Sequence, residues 1–482
     1  MRTELYIDGA WRGGSGELFS SHDPASGDKV WEGRAATADD VSEAMAAARL
    51  AFPAWSKLPL EHRTAIARKF GEVIKRRGEE IAQTISREMG KALWDARGEV
   101  QAMVGKVELS IRAQAERAGA KEEKTAFGAT VLSHHAHGVL GVFGPFNFPG
   151  HLPNGHIVPA LIAGNTILFK PSELTPGVGA LMIEAWEEAG LPAGVINLLQ
   201  GARETGAALL DASGLNGVLF TGSAQTGALI HRKFAGRPDM LLALELGGNN
   251  PLIVWPPVDV RAAANLIAHS AFATSGQRCS CARRLIVPDN ADGEAILQAV
   301  TELARNIRVD RSDATPEPFM GPLVNAHAAD RAVKFEQGLT AMGAKPILPI
   351  KRDGAFVHPG VIDVTGLSPP DEELFGPVLQ VYRATDFDHA LDIANATRFG
   401  LAGGLISDDP ALWARVKAEL RAGVLNWNRP TTGASGALPF GGPGLSGSLR
   451  PSAYYAADYV AYPVASQLSE KAAPIPAPGL PE

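Results

Sequence analysis

Residues 275–284 read SGQRCSCARR and hold both cysteines of the 482-residue chain, Cys279 and Cys281. Geometry disfavours a disulfide between neighbours at i and i+2, because their Cβ vectors point apart. A zinc site is short of ligands, since Cys-x-Cys stands here without the His or Asp that would complete a tetrahedron. Two readings remain. A free cysteine commonly serves as a small buried hydrophobe. A partly exposed thiol beside positive charge is instead a nucleophile; Arg278 adjoins Cys279, and Gly276 frees the backbone. The preceding SAFATSG reads as a helix that ends where the chain turns sharply.

Other residues have the types and spacing of a dinucleotide site. LFTGSAQTG runs a strand into Gly222, Ser223 and Gly227 and then a helix. Such a turn lets backbone approach a pyrophosphate, and the helix N-terminus supplies N–H donors and partial positive charge. One strand earlier, FKPSE offers Lys170 and Glu173 for ribose hydroxyls. A carboxylate at the 2′-hydroxyl repels a 2′-phosphate, which favours NAD over NADP. The HHAHG stretch puts His135 and His137 on one face of a strand, with His134 opposite, but no carboxylate or cysteine lies close, so no metal site is expected.

These groups need a scaffold, and the chain length implies two or three domains. Apolar residues make up 45% of the chain, an ordinary globular composition. The net charge of −7, with 45 basic against 52 acidic residues and no basic block, argues against a nucleic-acid partner. Sparse cysteines point to a reducing compartment. The start, MRTELYIDGAWRGGSG, has no apolar signal-like region, and the apolar stretch 157–169 is interrupted by Pro159 and Gly164. A cytoplasmic protein with no membrane association is expected.

Residues 38 to about 118 read as helices, with Ile66, Phe70, Val73 and Ile74 on one face. From 138 short apolar runs ending in Gly or Pro alternate with helical segments, the signature of a parallel, doubly wound sheet. A second alternating block follows from about 252. The end, AAPIPAPGLPE, reads as a flexible tail or extended arm. The expected fold class is α/β: a doubly wound dinucleotide-binding domain plus a second α/β domain.

In order along the chain, FNFPG (146–150), FKPSE (169–173), FTGS (220–223), LELGG (244–248), GQRC (276–279), EELFGP (372–377), NWN (426–428) and PFGG (439–442) resemble the motif set of the aldehyde dehydrogenase superfamily. That resemblance implies NAD-binding residues 1–123 and 142–244, a catalytic domain over 245–440, and an oligomerisation hairpin with C-terminal arm from 124–141 and 459–482. It implies a homodimer or dimer of dimers. By the same resemblance Cys279 is the nucleophile, Glu245 the general base and Asn147 the oxyanion donor, while Cys281 is a bystander. Lys170 and Glu173 would hold the adenosine ribose, Gly222 to Gly227 the pyrophosphate, and Glu373 and Phe375 the nicotinamide ribose and ring.

The implied substrate is a small acidic semialdehyde, in particular N-succinyl-L-glutamate 5-semialdehyde of arginine catabolism. His151, Arg278, Lys106, Arg112 and Arg429 are the candidate groups for its carboxylates, arginine being suited by its planar fork. Alternatives are another short acidic semialdehyde, a CoA-acylating relative, and a catalytically idle protein on the same fold. An intact Glu245 favours hydrolysis over transfer to CoA.

Overall fold

The computed structural model describes residues 1–126, 128–475 and 477–481. Two seven-stranded sheets carry the architecture. The first runs Leu241–Glu245, Gly217–Thr221, Val139–Phe143, Thr166–Lys170, Ile196–Leu198, Leu5–Ile7, Ala10–Arg12. Its first five strands are parallel, and the two N-terminal strands close the edge antiparallel. Chain order moves outward from Val139–Phe143 through Thr166–Lys170 to Ile196–Leu198, then jumps back across it to Gly217–Thr221. The strand order therefore reverses between Val139–Phe143 and Gly217–Thr221, and in open parallel sheets ligands bind beyond the carboxyl ends at such a reversal.

The second sheet runs Lys345–Leu348, Gly360–Asp363, Val378–Ala384, Ala282–Pro288, Asn250–Val254, Ala402–Ile406, Val424–Trp427, parallel except for its first strand. Its central strand Ala282–Pro288 is buried throughout, as its continuous run of residues ARRLIVP requires only if the two arginines are satisfied. Most of their donors are: Arg284 donates to the carbonyls of Asn249, Ile393 and Ala394, and Arg283 to those of Gly276 and Arg278, its Nε alone staying without a partner among the described residues. The expected α/β class with two sheet domains matches this architecture.

A third, three-stranded sheet pairs Ala461–Leu468, Gly128–Ala136 and Lys121–Thr125 antiparallel. Its limits differ from the expected segment 124–141. It starts at Lys121 and hands over at Gly138, because Val139–Phe143 already belongs to the first sheet. Gly138 takes φ 134°, and the Asn165 side chain accepts from the N–H groups of both His137 and Gly138, which turns the chain there. His135 and His137 both pack against Tyr462 of the pairing strand.

Three helices, Leu60–Arg76, Gly78–Met89 and Leu93–Arg117, cover one flank of the first sheet, and Ala38–Lys57 packs mainly on the other. Phe70 and Ile74 of the predicted face are fully buried, and Phe70 stacks on Trp186 with ring centroids 3.9 Å apart. No helix among the described residues is long and apolar enough to cross a membrane.

Candidate active site

The helix Val260–Phe272 ends in a turn of three consecutive left-handed residues, Thr274 (φ 54°), Ser275 (φ 57°) and Gly276 (φ 73°). Two non-glycine residues in that region cost energy and persist only where surroundings impose them. The imposing contacts are specific. Thr274 donates to Asp95, Ser275 to the Gly321 carbonyl at 2.7 Å, and a Cβ on Gly276 would lie 2.3 Å from the Gly376 carbonyl oxygen. Asn250 then clamps the far side, its amide donating to the carbonyls of Cys279 at 2.7 Å and Cys281 at 2.8 Å.

The turn separates the two cysteines by exposure. Cys281 is fully buried at the mouth of the strand Ala282–Pro288, its thiol directed at the Ala273 carbonyl. Cys279 is partly accessible and lines a single cleft of about 1190 Å³. Burial, with the Glu373 and Glu245 carboxylates nearby, pushes the Cys279 thiol up to about 12, against an opposing pull from Arg283. The expected activation by Arg278 is absent. The Arg278 guanidinium donates to Asp95 at 2.7 Å and to Thr274 at 2.7 Å, so its charge is compensated before it reaches the thiol.

Asn147 stands opposite, in the loop between Val139–Phe143 and the helix His151–Ala163. It is buried, and its amide donates to the Gln277 carbonyl at 2.9 Å, two residues before Cys279. The helix that follows has no side-chain cap of its own. Glu99, from the neighbouring helix Leu93–Arg117, accepts instead from the N–H groups of Gly150 at 2.9 Å and His151 at 3.0 Å. That carboxylate satisfies otherwise orphaned donors and complements the helix dipole, and Lys91 neutralises it at 2.6 Å in a fully buried pair.

Glu245 ends the strand Leu241–Glu245, where it bridges to Gly447 and so meets the segment carrying Ser452. Its Oε1 accepts from the Ser452 N–H at 3.1 Å, and Oε2 is buried with no partner among the described residues. Burial raises this carboxyl well above the ordinary carboxylate range, the Ser452 contact pulling the other way. A buried, orphaned carboxylate oxygen on the wall of a cleft suits a group that must hold water or a proton.

The other half of the cleft lies beyond the reversal point of the first sheet. Lys170 is buried, donates to the carbonyls of Gly201 at 2.7 Å and Pro171 at 3.0 Å, and lies 3.7 Å from half-exposed Glu173. Gly222, Ser223 and Thr226 line the cleft, and Ser223 caps the helix Ala224–Lys233 by accepting from the Thr226 N–H. Gly227 does not line it. A Cβ there would lie 2.4 Å from Leu246, so this glycine serves close packing rather than pyrophosphate. Glu373 is raised to about 7 by burial, accepts from the Gly248 N–H at 3.2 Å, and faces Arg283 at 3.9 Å. Phe375 stands edge-on to Phe146 with Arg283 over its ring.

Of the five residues expected for substrate carboxylates, Lys106 and His151 line the cleft with free capacity. Arg278 lines it with its fork taken by Asp95. Arg112 and Arg429 are not among its lining residues. Arg112 donates to the Tyr454 hydroxyl on the outer face of its helix, and Arg429 is exposed on the loop after the strand Val424–Trp427. The neighbouring loop does contribute, through Thr432, Ser435 and Gly436.

Several supporting residues had no sequence signal. Asp95, Asn250 and Ser452 each act across long stretches of chain. His156, fully inside, bonds the Tyr459 hydroxyl at 2.9 Å and faces Thr221 at 3.3 Å. Only Gly98 and Gly105, seven residues apart on one helix, left a readable mark: a stripe without side chains.

Known proteins resemble this chain over nearly its whole length. The model of the aldehyde dehydrogenase family matches residues 11–462. An N-succinylglutamate 5-semialdehyde dehydrogenase 2 from Caulobacter vibrioides is 58% identical over 97% of this chain and 96% of its own. A variant of 1-pyrroline-5-carboxylate dehydrogenase from Thermus thermophilus superposes with TM-score 0.90 at 30% identity, covering 96% of this chain and 92% of its own. An NADP-dependent glyceraldehyde-3-phosphate dehydrogenase from Bacillus halodurans, complexed with NADP, gives 0.89 at 27%, covering 97% and 99%. With a strained turn displaying Cys279, an amide at Asn147 and a buried carboxylate at Glu245 on one cleft, the chain belongs to the aldehyde dehydrogenase family.

Proposed function

We propose that the chain oxidises N-succinyl-L-glutamate 5-semialdehyde to N-succinyl-L-glutamate with NAD, through a thioester on Cys279, as a step of arginine breakdown. The observation that carries the chemistry is the one cleft lined by accessible Cys279, Asn147 and Glu245, whose Oε2 is orphaned. The 58% identity to the Caulobacter enzyme supports the substrate.

The dinucleotide fits the residues present. Lys170 and Glu173 flank a ribose position, Ser223 and Thr226 open a helix N-terminus, and the Glu373 carboxylate reaches the floor at Gly247, where any Cβ would lie 1.7 Å from its Oε2. When bound, a nicotinamide dinucleotide supplies the acceptor for the hydride that the aldehyde carbon gives up. Glu173 beside Lys170 favours NAD, since a carboxylate there opposes a 2′-phosphate.

The chain's own groups do the rest. The Cys279 sulfur adds to the aldehyde carbon, giving a thiohemiacetal whose oxygen is met by the Asn147 amide and the Cys279 backbone N–H. Burial and the Glu373 and Glu245 carboxylates push the thiol up to about 12, so its proton leaves to solvent at the accessible side of Cys279 as sulfur attacks. Once the thioester has formed, Glu245 takes a proton from water, which hydrolyses it and frees Cys279. The presence of Glu245 favours water over CoA as acyl acceptor.

NADH absorbance tests the reading. Purified protein with NAD and N-succinyl-L-glutamate 5-semialdehyde is expected to turn over far faster than with propanal, and no faster when CoA is added. Equal turnover of propanal defeats the substrate assignment. The same reading carries a cytoplasmic enzyme and a homodimer or dimer of dimers built on the three-stranded sheet, which sedimentation checks.

A further inference from the structure

The helix Leu93–Arg117 turns Gly98, Ala102, Gly105 and Lys106 toward the cleft, and their three- and four-residue spacing puts them on one face. A Cβ built on Gly98 or Gly105, or on Gly155 of the facing helix His151–Ala163, meets no atom within 4 Å. The two helices therefore enclose a trough where side chains would otherwise interlock.

Lys106 sits in that trough, 2% exposed. Its Nζ donates to the Ala453 carbonyl at 2.8 Å, and no carboxylate among the described residues pairs with it. Lys91, two residues before the same helix begins, is equally buried but has Glu99 at 2.6 Å. A buried ammonium is strongly disfavoured unless a counter-charge meets it, and this one has three donors with one in use. The carbonyl it does meet is itself held by strain, since Ala453 takes φ 58°, a region that disfavours alanine. Beside Lys106, the His151 ring is buried with Nδ1 unpartnered. Burial, with the charges of Lys106 and Lys91 added, pushes that ring down to about 4.

We propose that Lys106, with His151 beside it, is the anchor for a carboxylate of the substrate, and that the trough bounded by Gly98, Gly105 and Gly155 houses the chain linking that carboxylate to the aldehyde. The assignment rests on the acidic-semialdehyde reading above. An anionic aldehyde supplies the counter-charge that Lys106 lacks; a neutral one leaves the ammonium unpaired, and a site built for a polar partner rejects substrates without it.

The test is steady-state kinetics on the intact enzyme. Lys106→Met is expected to raise KM for N-succinyl-L-glutamate 5-semialdehyde about ten- to hundredfold, the worth of a charge-assisted hydrogen bond, with kcat much less affected. Lys106→Arg restores part of the loss. Gly105→Leu, a good helix former in open space, narrows the trough and cuts kcat/KM for the semialdehyde more than for propanal. Repeating Lys106→Met with N-acetyl-L-glutamate 5-semialdehyde identifies the carboxylate: a penalty that persists assigns the α-carboxylate, one that vanishes assigns the succinyl carboxylate. If wild type shows no preference for the semialdehyde over propanal, the substrate reading fails and takes the anchor with it. If wild type has the preference and both Lys106→Met and Gly105→Leu keep it, the anchor alone is overturned.

Discussion

Glu245 and Ser452 are joined by one hydrogen bond, backbone N–H to Oε1 at 3.1 Å across 207 residues of chain, and the other carboxylate oxygen is buried without a partner. Burial holds this carboxyl well above the ordinary range. A general base works only when deprotonated, so kcat rises with pH through the Glu245 pKa and declines below it. Glu245→Gln is expected to lower kcat about a hundredfold or more and to abolish that acid limb. A limb that survives the substitution belongs to another group.

Asn147 reaches the thiol turn through the Gln277 carbonyl at 2.9 Å, and in the proposed reaction its amide meets the thiohemiacetal oxygen. Asn147→Ala is expected to cost about a hundredfold or more in kcat, as for other single oxyanion donors, with KM little changed. Thermal unfolding of the variant separates this from damage to the turn, because a purely structural role lowers Tm and activity together.

Arg278 and Asp95 form a half-hidden pair at 2.7 Å, with side chains 18% and 5% exposed. Removing one partner of such a pair leaves a buried charge and costs about 3 kcal/mol. Asp95→Asn and Arg278→Met are both expected to lower Tm, while Arg278→Met leaves KM for the acidic aldehyde little changed. A large KM effect without loss of Tm would return Arg278 to substrate binding.

The contrast between Arg278 and Lys106 shows how far the sequence could be read. Cys279, Glu245, Asn147, Lys170 and Glu373 each sit inside a short motif whose local backbone geometry does the positioning, so their strings were legible. Arg278, Arg112 and Arg429 were plausible carboxylate ligands by type alone, and nothing local disclosed that Asp95 or Tyr454 would take the first two, or that Arg429 would point to solvent. The alternating runs from residue 138 predicted two α/β domains because strand and helix periods are local. Where the hairpin handed over to the first sheet depended on Asn165 gripping Gly138, a contact between segments. Gly227 looked like a phosphate turn because its spacing was right, while its packing against Leu246 is visible only in three dimensions.

Glu173 lies 3.7 Å from Lys170 and is half exposed. Removing one like charge about 4 Å from a phosphate in water-like surroundings is worth on the order of 1 kcal/mol. Glu173→Gln is therefore expected to improve kcat/KM for NADP about fivefold and to weaken NAD by loss of a ribose hydrogen bond. Parallel NAD and NADP kinetics check it; an unchanged NADP preference places the discrimination elsewhere.

The account turns on sulfur at position 279 carrying the acyl group. The direct measurement is peptide mass spectrometry of Glu245→Gln, quenched after mixing with NAD and N-succinyl-L-glutamate 5-semialdehyde. The expected result is a stoichiometric burst of NADH and a succinylglutamyl adduct on the peptide at Cys279, with Cys281 unmodified. An adduct on Cys281, or a burst that leaves Cys279 bare, would contradict it.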